Sequence, residues 1–185
     1  MLFKTGQAAG VFLKHRAKKI GSKAISISTK KNNIIEVTPE AEELGFVGMP
    51  DKINIDFIKD TVKKNIIPII SPLGKGKNNQ TYNINGDTAA GAIAKSLKSR
   101  RLLLMTNVEG VLDKENKLIE EISSVEIKEM IKNGTITEGM IPKINTCLDS
   151  VNNGVTAVGI IDGREKHSIL FEIFSDKGSG TLIRK

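Results

Sequence analysis

Short apolar runs alternate along this chain with stretches whose apolar residues recur every three or four positions, and that alternation narrows the fold more than any other feature. Helical spacing links Ala9, Leu13, Ala17 and Ile20; Ile55, Ile58 and Val62; Ala89, Ile93, Ala94 and Leu97; and Ile144, Leu148 and Val151. A short last helix is expected across residues 169–174. Between these stand strand candidates at 23–28, 34–37, 66–70, 101–106, 155–161 and 181–183. The runs at 66–70 and 101–106 are apolar enough to be buried on both faces. Ser123, followed three residues later by Glu126, is a capping-box pattern opening a further helix through Met130 and Ile131. Strands separated by helices call for crossover connections. They predict an α/β fold with a mainly parallel central sheet and helices on both faces, a three-layer α/β/α sandwich.

A chain of 185 residues can bury one sizeable core, or two small lobes sharing a sheet. The lobe division is expected near Ser99 and Arg100, giving lobes of 1–98 and 99–185. No apolar stretch reaches the roughly 18 to 20 residues that span a bilayer, and the first residues carry no signal-peptide hydrophobic region. A cytoplasmic location is therefore expected, with a plastid as the second choice. The single cysteine, Cys147, cannot form an intrachain disulfide and lies on a helical stripe, where it reads as a core thiol.

The net charge of +7 raises the question of nucleic acid, which the distribution of the charge answers. The lysines are spread along the chain with one tyrosine and no tryptophan among them, so stacking platforms for single strands are missing. A lysine-rich surface that attracts an anionic nucleotide fits better. His15 and His167 stand apart from any cysteine or second histidine, and no metal site is expected from the protein's own side chains. Gly74-Lys75-Gly76-Lys77 lacks the Gly-Lys-Ser/Thr ending of a phosphate loop and reads as a hairpin tip.

Two places gather polar chemistry at a helix start. Residues 79–90 form a short polar strand running into an alanine-rich helix, with Asp87 in its first turn. Taken alone, Asp87 reads as a first-turn acid favoured by the helix dipole. Lys143 follows Pro142, a residue at home in a first helical turn, so its ammonium and the helix N-terminal amides would face one anion. Phosphoryl transfer needs such cations, together with alignment of donor and acceptor.

Residues 79–94, 105–113, 134–143 and 160–164 occur in an order and at a spacing that resembles the acetylglutamate kinases of the amino-acid kinase family. The resemblance runs upstream through 44–48 and downstream to 178–182. It implies ATP-dependent phosphorylation of the side-chain carboxylate of N-acetyl-L-glutamate, as in arginine biosynthesis, with Mg2+ as cofactor and a homo-oligomeric assembly. In this resemblance Lys143 stabilises the transition state on the nucleotide side, Asp87 holds two catalytic lysines in position, and Asn83 binds the acylated amino acid. The nucleotide lies against Asn107, Val108, Glu109, Gly110, Val111 and Leu112, and against Thr135, Ile136 and Thr137. Asn107 departs from the aspartate that resembling enzymes carry. Those enzymes also open with a strand bearing a first catalytic lysine and a glycine-rich loop, and later use an arginine to clamp the substrate. None of these has a counterpart in the 185 residues, which resemble the last two-thirds of such an enzyme. Gly163-Arg164 helps close the nucleotide lobe or serves as a structural turn. Two other functions stay open: a non-catalytic nucleotide-binding or regulatory homologue, and a kinase acting on another amino acid or a nucleoside monophosphate.

Overall fold

The computed structural model describes residues 2–29, 32–136 and 139–185, with side chains from residue 9 onward. The chain forms two compact units, Met1–Ile93 and Ala94–Lys185. Their boundary falls inside helix α3 (Gly86–Leu97), whereas the sequence places the lobe division at 98/99. Among the described residues no helix is long and apolar enough to cross a membrane.

The first unit holds α1 (Leu2–Lys19), β1 (Ala24–Ile27), β2 (Ile35–Pro39), β3 (Gly48–Ile53), α2 (Ile55–Lys63), β4 (Ile67–Ile70), β5 (Leu73–Lys75) and β6 (Thr81–Asn83), and most of α3. Strands β1 and β4 pair in parallel, from Ala24 with Ile67 to Ile27 with Ile70, and α1 packs on both. A second sheet runs in the order β3-β2-β5-β6. It joins two antiparallel pairs, β2 with β3 and β5 with β6, through a parallel contact of Glu36 with Lys75. Gly74 and Lys75 end β5, and Gly76 and Lys77 begin the tip of the β5–β6 hairpin. Ile35, Val37, Leu73, Tyr82 and Ile84 are buried around this sheet. Gly74 is needed there, because a Cβ would stand 2.3 Å from Val37 Cγ1 and 2.8 Å from the Ile35 carbonyl oxygen.

The second unit holds β7 (Arg101–Thr106), β8 (Glu121–Ser123), α4 (Ser124–Lys132), α5 (Ile141–Asn152), β9 (Ala157–Asp162), α6 (Ser168–Phe174) and β10 (Gly180–Arg184). Its sheet runs β7-β9-β10-β8. Strands β7 and β9 are parallel, as are β10 and β8, while β9 and β10 are antiparallel. Every residue of β9 is buried. Helix α5 covers β9 and β10 and buries Ile144, Cys147, Leu148 and Val151, as its stripe requires. Cys147 is a core thiol. The capping box forms: the Glu126 amide donates to Ser123 Oγ at 3.2 Å, and the Ser123 amide donates to Glu126 Oε2 at 2.9 Å.

Several expectations are corrected. The fold is α/β as expected, but both four-stranded sheets are mixed, with β2 and β3, β5 and β6, and β9 and β10 pairing antiparallel. The α1 stripe does not face a core: Leu13 and Ile20 are exposed, and the helix is in close contact through Gly10, where a Cβ would stand 2.6 Å from Ser26 Oγ. Helix α2 buries Ile58 and Thr61, while Val62 faces solvent. Neither apolar strand is buried on both faces. Ile67 in β4 is 52% exposed, and β7, at the edge of its sheet, alternates buried Leu102 and Leu104 with exposed Arg101 and Met105. Helix α6 is inverted, with Ser168 and Glu172 inward and Ile169, Leu170, Phe171, Ile173 and Phe174 outward.

Candidate functional site

Strands β7 and β9 end side by side, with Thr106 paired to Asp162, and both chains then turn away. Crevices beyond the carboxyl ends of parallel strands are where α/β sheets bind ligands. The turn after β7 is held from below. The Val111 amide donates to Thr181 Oγ1 at 2.7 Å, a buried bond to β10, and the Ile119 amide donates to the Val111 carbonyl at 2.9 Å. Gly110 has φ 154°, and a Cβ there would lie 2.5 Å from Thr181 Oγ1 and 3.0 Å from the Thr181 nitrogen. Glycine is what lets the turn settle onto β10. The chain next closes a tight turn around Asp113, whose Oδ1 accepts from the amides of Glu115 and Lys117 at 2.9 and 2.8 Å.

After β9 the Gly163 amide donates to the Thr106 carbonyl at 2.8 Å, tying the two strand ends together. Asp162, buried at the end of β9, accepts from the Arg164 amide at 2.8 Å, from its Nε at 3.0 Å and from its Nη2 at 2.6 Å. These hydrogen bonds, the side-chain ones first, hold the Asp162 carboxyl below the ordinary carboxylate range against the opposing effect of burial. They also fix the guanidinium in place at the strand end.

A third segment comes from the α4–α5 connection. The Thr135 hydroxyl donates to Asn133 Oδ1 at 2.6 Å, and the amides of Thr135 and Ile136 both donate to the Met130 carbonyl. Together the three segments enclose a cavity of about 500 Å3, within the roughly 300–1,000 Å3 range of ligand sites. Asn107, Val108, Glu109, Gly110, Val111, Leu112, Thr135 and Ile136 all line it, as do Asp113, Asn116, Met140 and Arg164. Thr137 lies outside the described residues. Sequence reasoning missed Asn116 and Met140 as lining. Asn116 has φ 60°, a turn signature the sequence does carry, but nothing local to Met140 announces its place. The cavity offers an apolar wall from Val108, Val111, Leu112, Ile136 and Met140, and one fixed cation, Arg164, among its described lining residues.

Lys143, Asn83 and Asp87 are not among the residues lining this cavity. Lys143 is in the first turn of α5, just after Met140, and is half-buried. Asn83 and Asp87 belong to the first unit. Asn83 closes β6, donating its amide to the Phe46 carbonyl at 2.8 Å and bridging to Val47. Asp87 stands in the first turn of α3, which Asn85 caps by accepting from the amides of Asp87 and Thr88 at 2.9 and 3.2 Å.

The profile of the amino acid kinase family matches residues 8–162. The chain belongs to the amino acid kinase family. It is 58% identical over 163 residues to the acetylglutamate kinase of Pelagibacter ubique, an alignment covering 88% of this chain and 57% of that protein. The chain thus spans little more than half the length of that relative. Among solved structures, smu.665 from Streptococcus mutans is 31% identical with a TM-score of 0.78, covering 95% of this chain and 66% of that one. Carbamate kinase from Giardia lamblia bound to AMP-PNP has a TM-score of 0.68 at 19% identity, covering 93% of this chain and 66% of that one, a likeness of fold.

Proposed function

We propose that this protein carries out ATP-dependent phosphorylation of the side-chain carboxylate of N-acetyl-L-glutamate, with residues 99–185 acting as the nucleotide lobe and 1–98 as part of the amino-acid lobe. The observation that carries this reading is the cavity at the ends of β7 and β9, in a chain 58% identical to an acetylglutamate kinase. Its apolar wall suits an adenine ring, and the backbone groups of the 107–112 turn suit a ribose and phosphates. Arg164, held by Asp162, is a cation whose position is set before any ligand arrives. The donor set therefore fits ATP.

Mg2+ keeps several waters and binds through one or two carboxylates together with substrate phosphates, so it enters with the nucleotide. Glu109 and Asp113 are the carboxylates on the cavity lining that suit it. The ion's chemistry is to neutralise charge on the phosphates. Lys143, in the first turn of α5, stabilises the charge that develops on the nucleotide side as the phosphoryl group leaves. Asn83 offers both donor and acceptor to an acylated amino acid. Asp87 takes the organising role that the resemblance gives it, not that of a general base. The acceptor carboxylate is ionised near neutral pH and needs no general base.

Titration of the folded chain with Mg-ATP tests the reading. Saturable heat is expected, with an upward shift in melting temperature. Neither heat nor shift at about 5 mM nucleotide would overturn it, since that concentration detects affinities weaker than about −4 kcal/mol.

A further inference from the structure

A second cavity, of about 200 Å3, lies in the first unit, between the β2–β3 pair and the tip of the β5–β6 hairpin. Two features show that it is built by the fold. The register of β2 against β3 pairs Glu36 with Lys52 and Val37 with Pro50, which leaves Asp51 as the extra residue of a bulge. Bulges re-aim side chains, and Asp51 lines the cavity. Gly76, also on the lining, has no room for a Cβ, which would stand 2.8 Å from the Tyr82 ring and 3.0 Å from Asn78 Oδ1.

The charges on the lining are balanced and of both signs. Glu36 and Asp51 supply carboxylates, and Lys75 and Lys77 supply ammonium groups. Lys75 Nζ donates to Asn79 Oδ1 at 2.5 Å, which uses one of its three protons. A purely anionic or purely cationic ligand would meet half of these groups unfavourably. A compact zwitterion meets both. The volume, below that of drug-sized sites, also admits only a small metabolite.

We infer that this cavity binds a free α-amino acid. The α-ammonium group faces the carboxylates of Asp51 and Glu36, and the α-carboxylate faces Lys75 and Lys77. The site is separate from the nucleotide cavity and from Asn83, which closes the other end of β6.

The test is titration of the folded chain with each common L-α-amino acid, followed by NMR through the side-chain amide signals of Asn33 and Asn79. At least one amino acid is expected to shift both signals saturably. Its N-acetyl and its carboxamide derivatives, each lacking one charge, should bind at least tenfold more weakly. Asp51→Asn and Lys77→Gln should each weaken binding about tenfold, while Asn83→Ala leaves it unchanged. Absence of any saturable shift at about 20 mM amino acid would overturn the inference. So would equal binding of the N-acetylated form, or indifference to both charge-removing variants. Mg-ATP binding reports on the other cavity, so failure here and failure of the kinase reading are distinguishable.

Discussion

Gly110 carries the tightest steric constraint in the cavity at the ends of β7 and β9, since its missing Cβ is what allows the Val111 amide to reach Thr181 Oγ1. Gly110→Ala must move either the turn or β10, and Thr181 meets it with backbone as well as side chain. A loss of about 1–3 kcal/mol in urea denaturation is expected, with weaker Mg-ATP binding. Asp162 makes the pH prediction. Its folded-state pKa lies below the unfolded value, so the native state binds fewer protons than the unfolded one in the acid range. The pair with Arg164 therefore stabilises fully above the ordinary carboxylate value near 4. That contribution is lost as pH falls through the lowered folded value. Denaturation midpoints should fall more steeply with acid in the unmodified protein than in Asp162→Asn. Lys143 and Asn83 are expected to separate kinetically in a full-length frame built from the relative's remaining sequence. Lys143→Ala should lower kcat by about a hundredfold to a thousandfold with little change in KM, and Asn83→Ala should raise KM for N-acetyl-L-glutamate. Identical signatures would refute the assignment of roles. Asn107 to Leu112, which line one cavity, were legible as a group through the family resemblance of residues 105–113. The grip of Asp162 on Arg164 was not, because a lone Asp-Gly-Arg reads equally well as a plain turn.

At the scale of elements, sequence reads well wherever the cause is short-ranged. The α4 capping box spans Ser123 to Glu126, and both of its hydrogen bonds form. Ser123→Ala should lower stability by about 1 kcal/mol in chemical denaturation, and Ser123→Thr should restore most of it. The hydrogen bonds from Ser123 hold the Glu126 carboxyl below its ordinary value, so that loss should shrink as pH falls and the carboxyl protonates. Helix α5 likewise kept its stripe, because β9 and β10 cover the side its apolar residues occupy. Helix α1 forms as expected yet exposes its stripe, since a glycine approaching Ser26 sets which side meets the sheet. Periodicity announced the helix and left its orientation open.

At the scale of the molecule, α6 is the element that least resembles its sequence. Its short apolar run suggests a core helix, but Glu172 turns inward. Glu172 Oε1 accepts from Arg101 Nη1 at 3.2 Å, and its Oε2 accepts from the Ser179 amide at 3.1 Å. The apolar residues are left outside, with Phe174 80% exposed. Strand β7, in the same unit, has a strand neighbour on one side only within its sheet. An exposed apolar helix face recruits further chain. Light scattering at tens of micromolar is therefore expected to find association, and Phe171→Glu with Phe174→Glu should reduce it while leaving the melting temperature nearly unchanged. A monodisperse monomer before substitution would refute this prediction.

The sequence by itself determined the order of the helices and of most strands, though not β3 or β8, the capping box, the hairpin at Gly74 to Lys77 and the family. Each of the first three depends on residues within a few positions of one another, and the family on motifs read in series. Tertiary structure decided which faces are buried, that Asp113, Asn116, Met140 and Arg164 join one cavity, and that α6 turns its acid inward. Those outcomes rest on contacts between distant positions, such as Val111 with Thr181 and Arg101 with Glu172. Local periodicity cannot encode them, because a helix or strand presents the same pattern whichever neighbour comes to cover it.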